Sequence, residues 1–195
     1  MLVHPQGSGW IEVICGPMFS GKTEELIRRL RRAHYARQKA EVFKPHIDRR
    51  FSETEVVSHS AQRAEATPVQ SSREILERLD SATEVVALDE AQFFTSDVVE
   101  VAESLANRGV RVIAAGLDTD YRGEPFEPVP SLMARAEYVT KLLAICVRCG
   151  RPANRSLRVS LSEARIEVGA AERYEAVCRT CHAEGGRRPM QPGSS

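Results

Sequence analysis

Residues 10–23, with the sequence WIEVICGPMFSGKT, join a short apolar run to a glycine-rich turn and decide the class of fold. The run Trp10–Cys15 ends at a glycine, which is typical of a buried strand. Residues 16–23 fit the pattern G-x-x-x-x-G-K-[ST], in which backbone N–H groups point at phosphate oxygens. Since the pattern follows a predicted strand and opens a predicted helix, we interpret it as a phosphate-binding loop; a chance glycine-rich turn is the alternative.

Two residues of this loop have individual roles in binding a nucleotide. Lys22 is expected to reach the β- and γ-phosphates, and the Thr23 hydroxyl to ligate Mg²⁺. The start of the following helix adds a partial positive charge. The predicted phosphate-binding residues of the loop are Gly16, Pro17, Met18, Phe19, Ser20, Gly21, Lys22 and Thr23.

Helix and strand patterns alternate along the chain up to about residue 145. The predicted helices cover residues 24–39, 71–79 and 97–107, and the later predicted strands cover residues 41–44, 85–88 and 110–116. The second helix is assigned because residues 71–74 have the spacing of a capping box. This alternation predicts an α/β fold of the P-loop NTPase type, with a mostly parallel sheet and helices on both faces. Such sheets bind ligands at the carboxyl ends of their strands.

An acidic pair, Asp89 and Glu90, follows the apolar strand at residues 85–88. Asp89 is expected to hold Mg²⁺, directly or through a water molecule. Glu90 then lies beside the phosphate site, where a general base could take a proton from an incoming hydroxyl group or water. A solvated carboxylate or a helix-capping group is the alternative for Glu90.

Four of the five cysteines form two C-x-x-C pairs. The pairs are Cys146 with Cys149 and Cys178 with Cys181. Four thiolates at this spacing can close a tetrahedral zinc site with no open position, so the metal would be structural. Redox-active pairs or free thiols are the alternative, and His182 could replace Cys181 as the fourth ligand. We interpret Cys15 as a small buried hydrophobe.

The composition indicates an ordinary globular protein. The 195 residues contain 27 Lys+Arg and 27 Asp+Glu, so the formal net charge is zero, which disfavours a nucleic-acid or membrane partner. With no signal-like or membrane-spanning run, we expect a cytoplasmic protein. We expect loose tails at residues 1–9 and 185–195, a nucleotide-binding domain at 10–145 and a zinc-binding domain at 146–184.

Taken in order, five segments resemble the cellular-type (type II) thymidine kinases. They are GPMFSGKT at residues 16–23, FKPHIDRRF at 43–51, DEAQF at 89–93, GLDTDYRGEPF at 116–126 and the two cysteine pairs. The resemblance covers about residues 10–182. It implies phosphorylation of the 5′-hydroxyl of thymidine by ATP, giving dTMP and ADP. It also implies a homotetramer and feedback inhibition by dTTP.

The resemblance assigns roles to individual residues. Glu90 matches the proton acceptor for the 5′-hydroxyl, and Asp89 and Gln92 match the nucleotide and metal side. The residues that match the walls of the thymine site are Met18, Phe93, Leu117, Tyr121 and Phe126. The residues that match a substrate-covering loop, the lasso, include Val168, Gly169, Ala170 and Tyr174. The zinc would anchor both ends of this lasso. Arg50 is a candidate cation on the phosphate side, with a surface arginine as the alternative.

Three positions depart from the family pattern. Tyr121 replaces a phenylalanine, and its hydroxyl needs a partner if buried. Ala170 replaces the second glycine of the lasso, and residues 60–62 replace a glycine-bearing turn. None of these changes removes a group that the reaction needs.

Two other classes of function remain as rivals. A nucleic-acid-stimulated ATPase would use the same loop and acidic pair, but it normally needs a second motor domain and a basic track. A zinc-ribbon interaction module with a vestigial nucleotide site is disfavoured because Lys22, Thr23 and the acidic pair are all present.

Overall fold

The computed structural model describes residues 8–46, 55–57, 63–159 and 174–184. The strands are β1 Trp10–Cys15, β2 Ala40–Pro45, β3 Glu55–Val57, β4 Arg63–Glu65, β5 Thr67–Val69, β6 Val85–Leu88, β7 Arg111–Gly116, β8 Tyr138–Lys141, β9 Ala144–Ile145, β10 Pro152–Ala153, β11 Arg155–Arg158 and β12 Tyr174–Val177. The helices are α1 Lys22–Tyr35, α2 Ser72–Arg78, α3 Val98–Asn107, α4 Val129–Arg135 and α5 Arg179–Ala183, with a 3₁₀ turn at Ala91–Phe93.

Six strands form one sheet in the order β5-β2-β6-β7-β1-β8. Every neighbouring pair in this sheet is parallel, which confirms the predicted α/β architecture. Three two-stranded antiparallel ladders, β3 with β4, β9 with β10 and β11 with β12, lie outside it. Because β1 pairs on both sides, Cys15 at its end is fully buried, as predicted, and burial raises the pKa of its thiol to about 11.

Helices cover both faces of the sheet, as the sequence predicts. Leu26 and Leu30 of α1 pack on one face against Ile14 and Ile113. Helices α2, α3 and α4 cover the other face with apolar residues such as Leu105. Alternate residues of a strand point to opposite faces, so nearly continuous apolar strands supply both layers. Within the described ranges, no helix has the length and apolar character needed to cross a membrane.

One helix end and one capping interaction differ from the sequence prediction. Helix α1 ends at Tyr35 rather than residue 39, because Arg37 adopts a positive φ of 59° and the Gln38 N–H donates back to the Ala33 carbonyl. The predicted capping box at residues 71–74 forms only in part: α2 begins after Ser71 and the Glu74 carboxylate accepts from the Gln70 N–H at 2.6 Å, with the Ser71 N–H also lowering its pKa, but the Ser71 side chain makes no capping bond.

The structure confirms the predicted helix α3 but places the strand near residue 158 earlier than the sequence suggests. Helix α3 begins close to the predicted residue 97 and ends at the predicted residue 107, and Gly109 follows it with φ 90°. Residues 158–161 also have a strand-like sequence, whereas β11 covers Arg155–Arg158. Residues 160 and 161 lie outside the described ranges.

A buried ionic network joins the sheet to α1. The Glu12 carboxylate accepts from Arg29 at 2.7 Å, from Arg111 at 2.7 and 3.1 Å, and from the Trp10 indole at 2.6 Å. Burial raises the pKa of Glu12, but Arg111, Trp10 and Arg29 more than offset this, so the pKa lies below its ordinary value of 4.5. The resulting stabilisation is present above that value and is lost as the pH falls through the lowered pKa.

Replacing Glu12 with Gln is expected to lower the free energy of unfolding by about 3 kcal/mol, because two guanidinium groups lose a buried counter-charge. Urea denaturation followed by circular dichroism measures this change. Glu103→Gln is the matched control, since the Glu103–Arg135 pair is exposed. The control is expected to change stability by less than about 1 kcal/mol, and equal effects of the two variants would contradict the analysis.

Candidate active site

The predicted phosphate loop lies between the end of β1 and the start of α1. Its first residue, Gly16, has φ 141°, and a Cβ atom there would lie 2.4 Å from the Leu142 carbonyl oxygen. Gly21, with φ 83°, immediately precedes α1. Both positions need glycine because L side chains rarely adopt such backbone angles, and Gly16 also has no space for one.

Internal hydrogen bonds hold the loop closed around its lysine. The Lys22 ammonium and the Ser20 hydroxyl both donate to the Pro17 carbonyl, each at 2.8 Å. Burial lowers the pKa of Lys22, and the negative charges of Glu90 and Asp89 oppose this shift. The lysine and the acidic pair therefore lie within electrostatic reach of each other at the carboxyl edge of the sheet.

The two members of the acidic pair have different environments. Asp89 is 8% exposed, and burial together with the charge of Glu90 raises its pKa to about 7. Glu90 is exposed and adopts the left-handed conformation, with φ 51° and ψ 43°. Strand geometry has ended by this point, so Glu90 is released from the alternation that would place neighbouring side chains on opposite faces.

Gln92, which the sequence assigns to the nucleotide side, contacts two parts of the site. Its amide nitrogen lies 2.5 Å from a Glu90 carboxylate oxygen, and its amide oxygen lies 2.9 Å from the Leu117 nitrogen. The side chain is 3% exposed. In this structure, Gln92 connects the chain after β6 to the chain after β7.

The side chains that match the thymine site come from several strand ends. The rings of Phe93 and Phe126 meet edge to face, with centroids 6.1 Å apart and an interplanar angle of 89°. Met18, Leu117 and Tyr121 are half-buried residues of the chain that follows β1 and β7. The sequence order alone does not show the ring contact, because 32 residues lie between the two phenylalanines.

Tyr121 and Tyr174 share one cation. The Arg158 guanidinium lies 4.0 Å from the centre of the Tyr121 ring and donates to the Tyr174 hydroxyl at 2.9 and 3.2 Å. The Tyr121 hydroxyl accepts from Arg122 at 2.8 Å, which satisfies the polar group that distinguishes this chain from the family pattern.

The sequence analysis missed Arg158 and Ser156. The Ser156 hydroxyl accepts from the Met18 N–H at 2.9 Å, so β11 contacts the phosphate loop. Both side chains belong to one face of β11, because they are two residues apart in a strand. That spacing is the one signal in the sequence that relates them.

The four paired cysteines come together into one cluster. Their sulfur atoms all lie within 4.8 Å of one another, and the Cys149 and Cys178 sulfurs are 3.6 Å apart. Tetrahedral zinc with Zn–S bonds of about 2.3 Å needs sulfurs about 3.8 Å apart, so the cluster could hold such a metal. The backbone N–H of Arg151 lowers the pKa of Cys149, and that of Cys181 lowers the pKa of Cys178. Lowered values favour the thiolate form that metals bind, whereas burial and the neighbouring thiols raise the pKa of Cys181 to about 12.

His182 lies beside this cluster but contacts a different segment. Its Nε2 atom is 2.9 Å from the Tyr121 carbonyl oxygen, to which it donates. A Cβ atom on Gly123 would lie 2.9 Å from the Arg155 Nε atom. The loop after β7 is therefore packed closely against β11 and α5.

Several predicted site residues lie outside the described ranges. They are Arg50, Val168, Gly169 and Ala170, together with the atypical turn at residues 60–62. The expectations for these residues stay predictions.

Comparisons with known proteins agree with the motifs. Residues 9–182 match the family described as Thymidine kinase. A curated relative, the thymidine kinase of Rhodothermus sp. (strain ITI 518), is 61% identical over 195 residues, which cover 100% of this chain and 89% of the relative. The family indicated by the sequence motifs is confirmed: the chain belongs to the thymidine kinase family and is a kinase.

Proposed function

We propose that this site transfers the γ-phosphoryl group of ATP to the 5′-hydroxyl of thymidine, giving dTMP and ADP. The observation that carries the proposal is that the phosphate loop and the acidic pair follow parallel strands of one sheet, β1 and β6, and that the charges of Glu90 and Asp89 act on Lys22 at the carboxyl edge of that sheet. Lys22 would bind phosphate and the carboxylates would serve metal binding and proton transfer, the parts that phosphoryl transfer needs. Family membership supports the choice of thymidine as acceptor.

On the phosphate side, residues 16–23 would bind the nucleotide through backbone N–H groups and Lys22. Thr23 and Asp89 would hold Mg²⁺, since hydroxyl and carboxylate oxygens are its preferred ligands. Asp89 fits this role because its buried carboxylate, with a pKa raised to about 7, gains a partner when a cation binds. Bound Mg²⁺ would neutralise charge on the phosphates. Arg50 is proposed as a further cation for the phosphates.

Glu90 would act as the general base. Its exposed side chain is accessible to a substrate, and Lys22 provides positive charge nearby. The proton of the 5′-hydroxyl passes to the Glu90 carboxylate as the new O–P bond forms. The bond between the γ-phosphorus and the β-phosphate oxygen breaks, and ADP leaves.

The nucleoside would lie between the strand-end loops. Phe93 and Phe126 offer perpendicular aromatic faces for a planar base, and Met18, Leu117 and Tyr121 would complete the walls. Tyr174 and residues 168–170 would cover the base as the lasso. These assignments follow the family motif residue by residue.

Replacing Glu90 with Gln is expected to reduce kcat by about 10²- to 10⁴-fold, because the substituted amide cannot accept the proton. The affinity for ATP should stay nearly unchanged, since the phosphate loop is intact. Formation of labelled dTMP measures the rate, and equilibrium dialysis measures ATP binding. Glu100→Gln, an exposed change on α3, is the matched control and should keep full activity.

A panel of nucleosides, incubated with ATP and Mg²⁺ in the presence and absence of DNA, tests the function against its rivals. We expect phosphorylation of thymidine that does not depend on DNA. ATP hydrolysis that requires DNA and yields no dTMP would overturn the proposal. Near-normal dTMP formation by Glu90→Gln would instead remove the base assignment.

We also propose that Cys146, Cys149, Cys178 and Cys181 hold one structural zinc ion. Its support is the mutual approach of the four sulfurs, which all lie within 4.8 Å of one another. In this arrangement residues 146–184 form a zinc-binding unit that anchors the lasso. His182 would stay free of the metal to bond the Tyr121 carbonyl.

Zinc content measured by plasma mass spectrometry is expected to be one ion per chain, and Cys178→Ser should lower it strongly. The same variant should raise KM for thymidine several-fold, because β12 and α5 position Tyr174 and His182. Cys15→Ala is the control, since this thiol lies at the end of β1 and should not change the zinc content. An undiminished zinc content in Cys178→Ser would contradict the ligand assignment.

Three further properties are proposed on the basis of the resemblance: a homotetramer, inhibition by dTTP and a cytoplasmic location. Exposed apolar residues at and after the edge strand β8, including Val139, Leu143 and Ile145, support self-association. None of the five cysteines, all within the described ranges, forms a disulfide, which suits a reducing compartment.

A further inference from the structure

We infer that Gln92 is a positioning residue that fixes the Glu90 carboxylate relative to the nucleoside-binding loop. The inference rests on the proposed function, since it takes Glu90 as the base. It differs from the assignment of Gln92 to the nucleotide side, because the contacts of its amide are to Glu90 and Leu117.

The direction of both hydrogen bonds follows from chemistry. The Leu117 N–H can only donate, so the amide oxygen of Gln92 must face it. The amide nitrogen then faces Glu90 and donates to its carboxylate oxygen at 2.5 Å. In this orientation one carboxylate oxygen of Glu90 is held by the Gln92 N–H.

The end of β7 is shaped to admit this amide. A Cβ atom on Gly116 would lie 2.8 Å from the amide oxygen of Gln92 and 2.9 Å from the Val129 Cγ2 atom. The φ angle of Gly116 is not positive. Glycine is therefore needed here because there is no room for a side chain, not because of the backbone conformation. Gly116 thus permits the close approach of Gln92 to Leu117.

Glu90 needs such a partner because its own backbone leaves the carboxylate loosely defined. The residue is exposed and precedes a short 3₁₀ turn, so several side-chain rotamers are open to it. A buried donor selects one of them before substrate binds, which removes an entropic cost from the reaction. Leu117 belongs to the proposed base wall, so the same amide relates the carboxylate to the nucleoside.

The test uses two variants that disturb the amide by different routes. Gln92→Met keeps a similar side-chain volume but removes both hydrogen bonds, and Gly116→Ala displaces the amide without changing it. Each is expected to lower kcat for thymidine about 10- to 100-fold. KM for ATP should change less than about twofold, since the phosphate loop is untouched. Gln38→Ala, which follows α1 at the opposite end of the strands, is the matched control and should retain wild-type kinetics.

A double-mutant cycle separates positioning from a general structural role. When Glu90→Gln is already present, Gln92→Met should change the single-turnover rate less than about twofold, because the base through which it acts is gone. Thermal denaturation of Gln92→Met and Gly116→Ala checks that each variant folds. If one of them does not fold, the kinetics of the other test the positioning role.

Each outcome of the cycle has a distinct meaning. An equal loss from Gln92→Met with and without Glu90 would overturn the positioning role. A rise in KM for ATP with unchanged kcat would also overturn it and restore the nucleotide-side assignment. Full activity of Glu90→Gln would remove the base assignment and the positioning role with it, while the dTMP formed would leave the proposed kinase function standing.

Discussion

The close approach of the Gly16 backbone to the Leu142 carbonyl oxygen is the constraint on which the rest of the site depends. Strand β1 lies between β7 and β8, and the Leu142 N–H donates to the Cys15 carbonyl at 2.8 Å. The chain can leave this crowded edge only through a residue without a side chain. The phosphate loop therefore begins at a fixed point beside the end of β7, which leads into the proposed nucleoside-binding loop, and one strand away from the end of β6, which carries the acidic pair.

Charge within this edge is balanced locally rather than by the composition of the whole chain. The positive charge of Lys22 is attracted by the negative charges of Glu90, Asp89 and Asp118. Asp118 also forms an ion pair with Lys141 at 2.5 Å. Burial weakens the ionised forms of both Lys22 and Asp89, so each is stabilised by the other and by ligands of opposite charge. A nucleotide with a bound cation would supply both signs at once, which would let a neutral chain bind a highly charged substrate.

Local patterns in the sequence predict the strands, the helices and the phosphate loop, but not the contacts between segments that are distant in the chain. The apolar runs and the glycine loop predict β1, β6 and the phosphate loop because their signals are complete within a few residues. The capping box at residues 71–74 forms only in part, because the Ser71 side chain makes no capping bond and the Glu74 carboxylate accepts from the Gln70 N–H as well. The bonds of Gln92 to Leu117 and of His182 to Tyr121 join segments far apart in the chain. The spacing of residues in the sequence does not indicate hydrogen bonds of this kind, because the partners approach each other only in the folded protein.

The cysteine-bearing segment contacts the proposed active site directly, so a metal held by the cysteines would affect the reaction without touching the reacting atoms. Ser156 in β11 accepts from the Met18 N–H of the phosphate loop. His182 in α5 donates to the Tyr121 carbonyl of the loop after β7. Both elements are joined to the cysteine cluster, since Cys181 belongs to α5 and Cys178 follows β12, the partner of β11. A change that loosens the cluster therefore reaches the phosphate side and the nucleoside side together, through two hydrogen bonds rather than through the substrate.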